Sequence, residues 1–395
     1  VIARHRRKIG DEVLFLIGTD EHGAKIAKAA ENLGKEPQEF VDEISQYFKD
    51  LFKELNISND DFIRTSDRQR HWPTVQKIWQ RMAGSGDLYK AKYQGLYCVG
   101  HEAFIKKSEL VDGLCPDHQT EPEIVEEENY FFRLTKYRDQ IRKLIESAEL
   151  KILPEYRANE VLEMLKESED ISFSRPSKDL KWGVPVPDDS EHTIYVWADA
   201  LANYLSAIDY AGNGEKFKKY WPADIHLIGK DILRFHALYW PAMLLSSGLE
   251  LPKNIYVHGF ITIDGQKMSK SVGNVVDPRD LIKDFGADAV RHYLLREISS
   301  NEDGDFSMEK FKTRYNGDLA NNLGNLVSRV QKLVEDNFEG GIKIDESRIS
   351  DEVSAEVEKS EGQYKEGFEN FKLHEALSAV FRLSSFANQY IDFHK

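Results

Sequence analysis

The order of apolar and polar residues predicts an α/β fold: a parallel sheet that is interrupted by an insertion, resumes after it, and gives way to a helical bundle. Three observations carry that expectation. A β-branched and aromatic run, Val13-Leu14-Phe15-Leu16-Ile17, precedes a glycine-bounded loop and then a helix-forming stretch from Ala24 to Asn32. The strand texture returns at residues 193–197, at 225–228 with a helix through 231–245, and at Ile255-Tyr256-Val257. Beyond about Glu309 strand signals stop, and Leu319, Leu323, Leu326, Val330 and Leu333, then Leu377, Phe381 and Tyr390, mark helices of a bundle.

Between the first two of these regions, Phe40, Ile44, Phe48, Leu51 and Leu55 recur three or four apart, the spacing of one apolar helix face packed on a sheet. From Leu88 to about Pro187 the texture changes to short strand-like pieces punctuated by Gly and Pro, with both cysteines and an acidic run at 121–128. The expected organisation follows. Residues 1–87 and 188–260 form a split Rossmann-like nucleotide-binding domain with its site at the carboxyl ends of the strands. Residues 88–187 form an inserted connective domain, 261–308 a loop and stem, and 309–395 the helical bundle.

Composition bounds the function classes. A chain of 395 residues exceeds one simple core and predicts two or three domains. With 41% apolar and 31% charged residues it has no apolar run near the roughly eighteen residues of a membrane span, so no membrane partner is expected. Residues 1–8 are basic but lack the apolar stretch and cleavage site of a targeting peptide, and the expected location is cytoplasmic. Two cysteines exclude a disulfide framework and leave metal binding or buried thiols. A net charge of −15 sits awkwardly with nucleic-acid binding, which needs local positive potential; Lys and Arg do cluster at 4–8, around Arg64, Arg68 and Arg70, and at 133–142, where solvated helix faces are the alternative.

The strongest local signal is Gly265-Gln266-Lys267-Met268-Ser269-Lys270-Ser271, preceded by Ile261-Thr262-Ile263-Asp264. Asp-Gly favours a tight turn, and two lysines three apart, flanked by hydroxyls, can neutralise a polyphosphate. The string resembles the KMSKS signature of class I aminoacyl-tRNA ligases. Further strings in matching order, Phe15-Leu16-Ile17-Gly18-Thr19-Asp20-Glu21-His22-Gly23, Val196-Trp197-Ala198-Asp199-Ala200, Ile228-Gly229-Lys230-Asp231-Ile232 and Gly273-Asn274-Val275-Val276-Asp277-Pro278, extend the resemblance over nearly the whole chain and narrow it to the methionine–tRNA ligases. That resemblance implies activation of L-methionine by ATP with Mg2+, release of pyrophosphate, and transfer of methionine to the 3′ end of tRNA(Met).

Residue roles are implied position by position. Lys267 and Lys270 stabilise charge on the phosphates, Lys270 foremost, and Gly229, Lys230, Asp231, Met268 and Ser269 complete the ATP site. Asp20 holds the amino acid's ammonium, a charge-assisted bond in a partly dry pocket, where a helix cap is the plainer role for such an Asp. Trp197, Tyr204, Ile232 and His236 enclose the methionine side chain, whose sulfur packs well on aromatic edges; the plainer role is core packing. Asp231 lies where methionine and ATP meet, and Arg175 faces substrate. Asn325 and Arg329, four apart on one helix face, read anticodon bases, with a solvated face as the alternative.

Cys98-Val99-Gly100-His101 and Cys115-Pro116-Asp117-His118 are two C-x-x-H pairs, a donor set suited to tetrahedral zinc. The resembling family often carries a zinc knuckle here, usually with more cysteines, and His101 departs from it; the alternative is two buried thiols and two surface histidines. The family's HIGH signature is nowhere in the chain and is expected upstream of Val1, as the tryptophan beside the anticodon is expected beyond Lys395. Rival readings are a class I ligase for cysteine, leucine, isoleucine or valine, and a non-catalytic tRNA-binding relative. A dinucleotide-dependent dehydrogenase fails for want of G-x-G-x-x-G after any expected strand.

Overall fold

The computed structural model describes the chain apart from residues 101–102, 106, 117–118, 264, 269–274, 339–341, 343–344 and 395. It divides into two compact units, the larger built from residues 3–50 and 58–257 and the smaller from 51–57 and 258–395. Among the described residues no helix is long and apolar enough to cross a membrane.

In the larger unit the strand Leu16–Thr19 pairs in parallel with Asp61–Arg64, and the helices Ala24–Asn32 and Pro37–Glu54 lie between them in the chain. The approach is close at Gly18, where a Cβ would stand 2.2 Å from the Ile63 carbonyl oxygen, so only glycine fits. A second parallel element places Asn254–His258 between His226–Gly229 and Lys151–Leu153. Ile152 and Ile255 are register partners and both are buried, as is Trp240 in the same apolar cluster.

The insertion is a four-stranded antiparallel sheet in the order Ala103–Ile105, Leu88–Cys98, Glu123–Phe132, Ile171–Ser172, with a continuous ladder from Leu88 opposite Phe132 to Tyr97 opposite Glu123. Two expectations are corrected here. Lys151–Leu153 and the helix Glu155–Glu167 fall within the expected 88–187 insertion, yet the strand pairs in parallel with Asn254–Tyr256; a charge beside two apolar residues carries little strand signal. The stretch 193–197 is not a parallel strand. Asp189–Ile194 is antiparallel to Ser174–Pro176 and Pro185–Val186, and Val196–Ala200 is helical, as its alanines favour.

The smaller unit opens with Ile261–Ile263, paired antiparallel with Gln266–Lys267 across Gly265 and in parallel with Gly304–Phe306. Helices then follow: Pro278–Phe285, capped by the Asp277 carboxylate accepting from Arg279 N, Ala287–Arg296, Met308–Arg314, Asn325–Asn337, Asp351–Glu369 and Leu373–His394. Leu281, Val290, Tyr293, Phe306 and Phe311 form its core. Tyr315–Gly324 is wound as a π-helix leading directly into Asn325.

Candidate active site

Two clusters of buried polar side chains converge on the ends of the strands in the larger unit. The first surrounds the loop after Leu16–Thr19. Asp20 is exposed, whereas Glu21 is buried and gripped by Thr19 Oγ1 at 2.5 Å, Arg64 Nε at 2.8 Å and the Ser66 hydroxyl. Trp182 Nε1 donates to Glu21 O at 2.5 Å, and Gly23, whose φ of +104° suits glycine alone, donates its N–H to Trp182 O. His22 Nδ1 lies 2.5 Å from Asp199 Oδ2, and His71 Nε2 lies 2.6 Å from Asp199 Oδ1. His71 Nδ1 meets Ser206 Oγ at 2.9 Å. Asp199 is fully buried; burial pushes its carboxyl up, but the His22 charge and the bonds from both imidazoles outweigh it and hold it below the ordinary carboxylate range. For His22, burial lowers the imidazole, and the charge and hydrogen bond of Asp199 more than reverse it, raising it above its ordinary value.

The second cluster carries no charge. Trp197 stacks on Phe235 with ring centres 3.8 Å apart and meets His236 edge-on at 6.2 Å. His236 Nδ1 is 3.0 Å from Ile232 O, and a carbonyl only accepts, so the proton sits on Nδ1; Nε2 then accepts from the Tyr204 hydroxyl at 2.7 Å. Behind Tyr204, His226 stacks at 4.1 Å and accepts at Nε2 from Trp240 Nε1 at 3.1 Å. Desolvation drives His236 down to about 4 and, with the adjacent His236 opposing charge further, His226 down to about 3; burial raises Tyr204. Both imidazoles are therefore neutral near pH 7. Phe235–Tyr239 is a π-helical turn, a local winding that recurs at functional sites.

Gly229 closes the strand His226–Gly229, Lys230 opens the single 3-10 turn Lys230–Ile232, and Asp231 is exposed there. The structure thus brings Trp197, Tyr204, Ile232 and His236 together. This arrangement offers a neutral aromatic wall for an uncharged, polarisable side chain, with exposed carboxylates at Asp20 and Asp231 in the same unit.

The model of the family described as tRNA synthetases class I (M) matches residues 1–121 and 118–331. The chain belongs to the class I methionyl-tRNA synthetases. It is 46% identical to the methionine–tRNA ligase of Thermotoga maritima over 99% of this chain and 63% of that protein, and 48% identical to that of Clostridium perfringens over 99% and 61%. It therefore spans about three-fifths of the length of these curated relatives. A crystal structure of Mycobacterium tuberculosis methionyl-tRNA synthetase bound by methionyl-adenylate superposes with a TM-score of 0.93 at 42% identity, covering 99% of this chain and 78% of that one.

Other residues expected from this synthetase family lie elsewhere. Arg175 is buried between Tyr195 and Tyr97, its guanidinium 4.8 and 5.3 Å from their ring centres, and donates to Ser174 O at 2.7 Å and Ser172 Oγ at 3.0 Å. In the smaller unit, Lys267 opposes Thr262 and Met268 follows it; Asp305 Oδ1 anchors the turn by accepting from Gly265 N at 2.8 Å and Thr262 Oγ1 at 2.9 Å. Ser269 and Lys270 lie outside the described residues. Asn325 Nδ2 donates to Asn388 Oδ1 at 3.0 Å, and Arg329 Nη1 to Asn388 O at 3.1 Å, so both address one neighbour, while Arg329 also pairs with Asp392. Cys98 and Cys115 are buried and form no disulfide; His101 and His118 lie outside the described residues, and no group of three metal-ligating side chains assembles among the rest.

His22, His71, Asp199, His226 and Phe235 were missed by sequence reasoning. One signal existed. Asp199 stands among Val196, Trp197, Ala198 and Ala200, and an aspartate in so apolar a setting needs partners to be buried.

Proposed function

We propose that this chain carries the methionine-activating centre of a methionine–tRNA ligase, which joins L-methionine to ATP as methionyl-adenylate and then loads tRNA(Met). A methionine carboxylate oxygen attacks the α-phosphorus, the bond to the bridging β-phosphate oxygen breaks, and pyrophosphate leaves; a terminal ribose hydroxyl of the tRNA then takes the acyl group and AMP departs. Family membership supports the reaction, and one observation carries the substrate: the uncharged pocket of Trp197, Tyr204, Ile232 and His236, which suits a thioether and repels charged side chains.

In this reading Asp20 takes the ammonium and Asp231 stands where methionine meets ATP. Gly229 and Lys230 offer a strand end and an ammonium group to the nucleotide, a donor set that fits a phosphate ester. Lys267 and Lys270 oppose charge developing on the phosphates, to which Mg2+ contributes when bound; Arg175, expected to face substrate, is instead buried with its guanidinium against Tyr195 and Tyr97. Asn325 and Arg329 face the anticodon. The proposed location is the cytoplasm.

Pyrophosphate exchange into ATP tests this, measured on the protein at its natural length with methionine, cysteine and leucine supplied separately. Exchange with methionine alone is the expected result. Exchange with another amino acid would move the pocket to a different class I ligase, and none at all would favour a non-catalytic tRNA-binding protein. Lys270→Ala should slow exchange by orders of magnitude while methionine affinity holds.

A structural zinc at Cys98, His101, Cys115 and His118 is also proposed. Both thiols are enclosed, and Cys115 lies in a compact turn, its N–H donating to Thr120 O and its carbonyl accepting from Gln119 N at 2.8 Å; two cysteines and two histidines are a donor set that suits tetrahedral zinc. Metal analysis of freshly prepared, unchelated protein should give about one equivalent; less than about half would rule it out.

A further inference from the structure

We infer that His22, Asp199 and His71 form a positioning unit for the amino-acid substrate, holding the loop that presents Asp20 against the helix that presents Trp197. The inference rests on the proposed methionine pocket and goes beyond it by assigning three residues that touch no substrate. His22 follows Asp20 by two residues, and Asp199 follows Trp197 by two. Two side chains separated by 177 residues in sequence are thus tied at 2.5 Å between the proposed ammonium grip and the proposed side-chain wall. His71 ties the same carboxylate at 2.6 Å to the start of the helix Trp72–Gly84, and through Ser206 Oγ to the helix Asn203–Ser206 that carries Tyr204.

The tether is narrow. His22 Nε2 is buried against Trp182 and Trp72, 5.2 and 6.2 Å between ring centres, with no hydrogen-bond partner among the described residues, so Asp199 is the polar anchor of that ring. Asp199 in turn has both oxygens engaged, one by each imidazole. A carboxylate filled from both sides in a dry interior has one geometry, and it transmits that geometry to the residues flanking it.

The two histidines use different ring nitrogens, which separates positioning from mere bulk. His22 donates through Nδ1, whose place an asparagine Nδ2 takes; His71 faces Asp199 through Nε2, whose place a glutamine Nε2 takes. Steady-state pyrophosphate exchange, with the thermal melt recorded for each protein, tests the assignment. His22→Gln and His71→Asn should raise KM for methionine by at least about tenfold, equivalent to roughly 1.4 kcal/mol, while KM for ATP and kcat stay within about threefold. His22→Asn and His71→Gln should return KM for methionine to within about threefold of the parent. Asparagine and glutamine acting alike at both positions, or KM for ATP rising with that for methionine, would overturn the positioning role. If one position fails to fold, the pair at the other decides. Parent protein without methionine-dependent exchange would instead overturn the proposed function, and this inference with it.

Discussion

Two buried histidine clusters stand in the same unit, and His22 in one shifts in the opposite direction from His226 and His236 in the other. His226 and His236 have aromatic rings, a tryptophan N–H and a backbone carbonyl for neighbours, and desolvation strips them of protons. His22 is as deeply buried but faces Asp199, whose charge and hydrogen bond, with smaller help from Asp20 and Glu21, reverse the balance. Burial alone therefore does not set a histidine's state; what it is buried against does. In the reading proposed above this is a division of labour, with a carboxylate and its imidazole partners in the frame and neutral groups along the wall.

Removing the carboxylate is the hardest blow to that contrast. Asp199→Leu leaves the His22 imidazole without its counter-charge, and urea unfolding should register a loss of about 3–5 kcal/mol; a loss under about 1 kcal/mol would mean the frame is not ionic. Acid sharpens the contrast next. Above pH 6.5 His236 is neutral in both folded and unfolded chains; as pH falls the unfolded chain protonates first, so stability should drop between about 6.5 and about 4, by roughly 3 kcal/mol from His236 alone, with His226 extending the loss downward. His22 pulls the other way: its raised value contributes stability that is complete below 6.5 and fades as pH climbs through the folded value. Unfolding of His236→Gln across the same range should show a shallower acid slope. A smaller effect is expected from His226→Phe, which keeps a ring against Tyr204 but leaves Trp240 Nε1 without its acceptor, costing about 1–3 kcal/mol in unfolding free energy. Smallest of all, Asp42→Asn cuts the exposed arm of the Arg64 bridge network and should change stability by less than about 1 kcal/mol.

The four residues proposed as the wall could be named from the sequence, and the buried frame could not. Trp197, Tyr204, Ile232 and His236 were named because they match the resembling family's positions, two of them outside any of its quoted strings; they lie near one another, and their role as a methionine wall is a proposal. Asp199 needs partners 128 and 177 residues away, and nothing in the local pattern names them. Element type was read well where β-branched and aromatic residues ran together, as at Ile255-Tyr256-Val257, and poorly at Lys151-Ile152-Leu153, which opens on a charge and holds one β-branched residue. Trp197 was given to a strand because Ile194 and Val196 are β-branched, while the alanines at 198 and 200 turned the chain into helix. The π-helical windings at Phe235–Tyr239 and Tyr315–Gly324 left no mark in the apolar spacing, which read both stretches simply as helix.

The strand at Lys151–Leu153 changes how the molecule can be taken apart. The chain leaves for the antiparallel sheet at Leu88, comes back to lay a strand beside Asn254–Tyr256, and then returns to that antiparallel sheet with Ile171–Ser172 beside Phe131–Phe132. Each of the two sheets thus has an edge supplied by a segment that lies, in sequence, on the far side of a visit to the other. No single pair of cuts lifts the insertion out as a cassette: excising 88–187 would also unlace the parallel sheet, and transplanting it would carry a strand that belongs to its host.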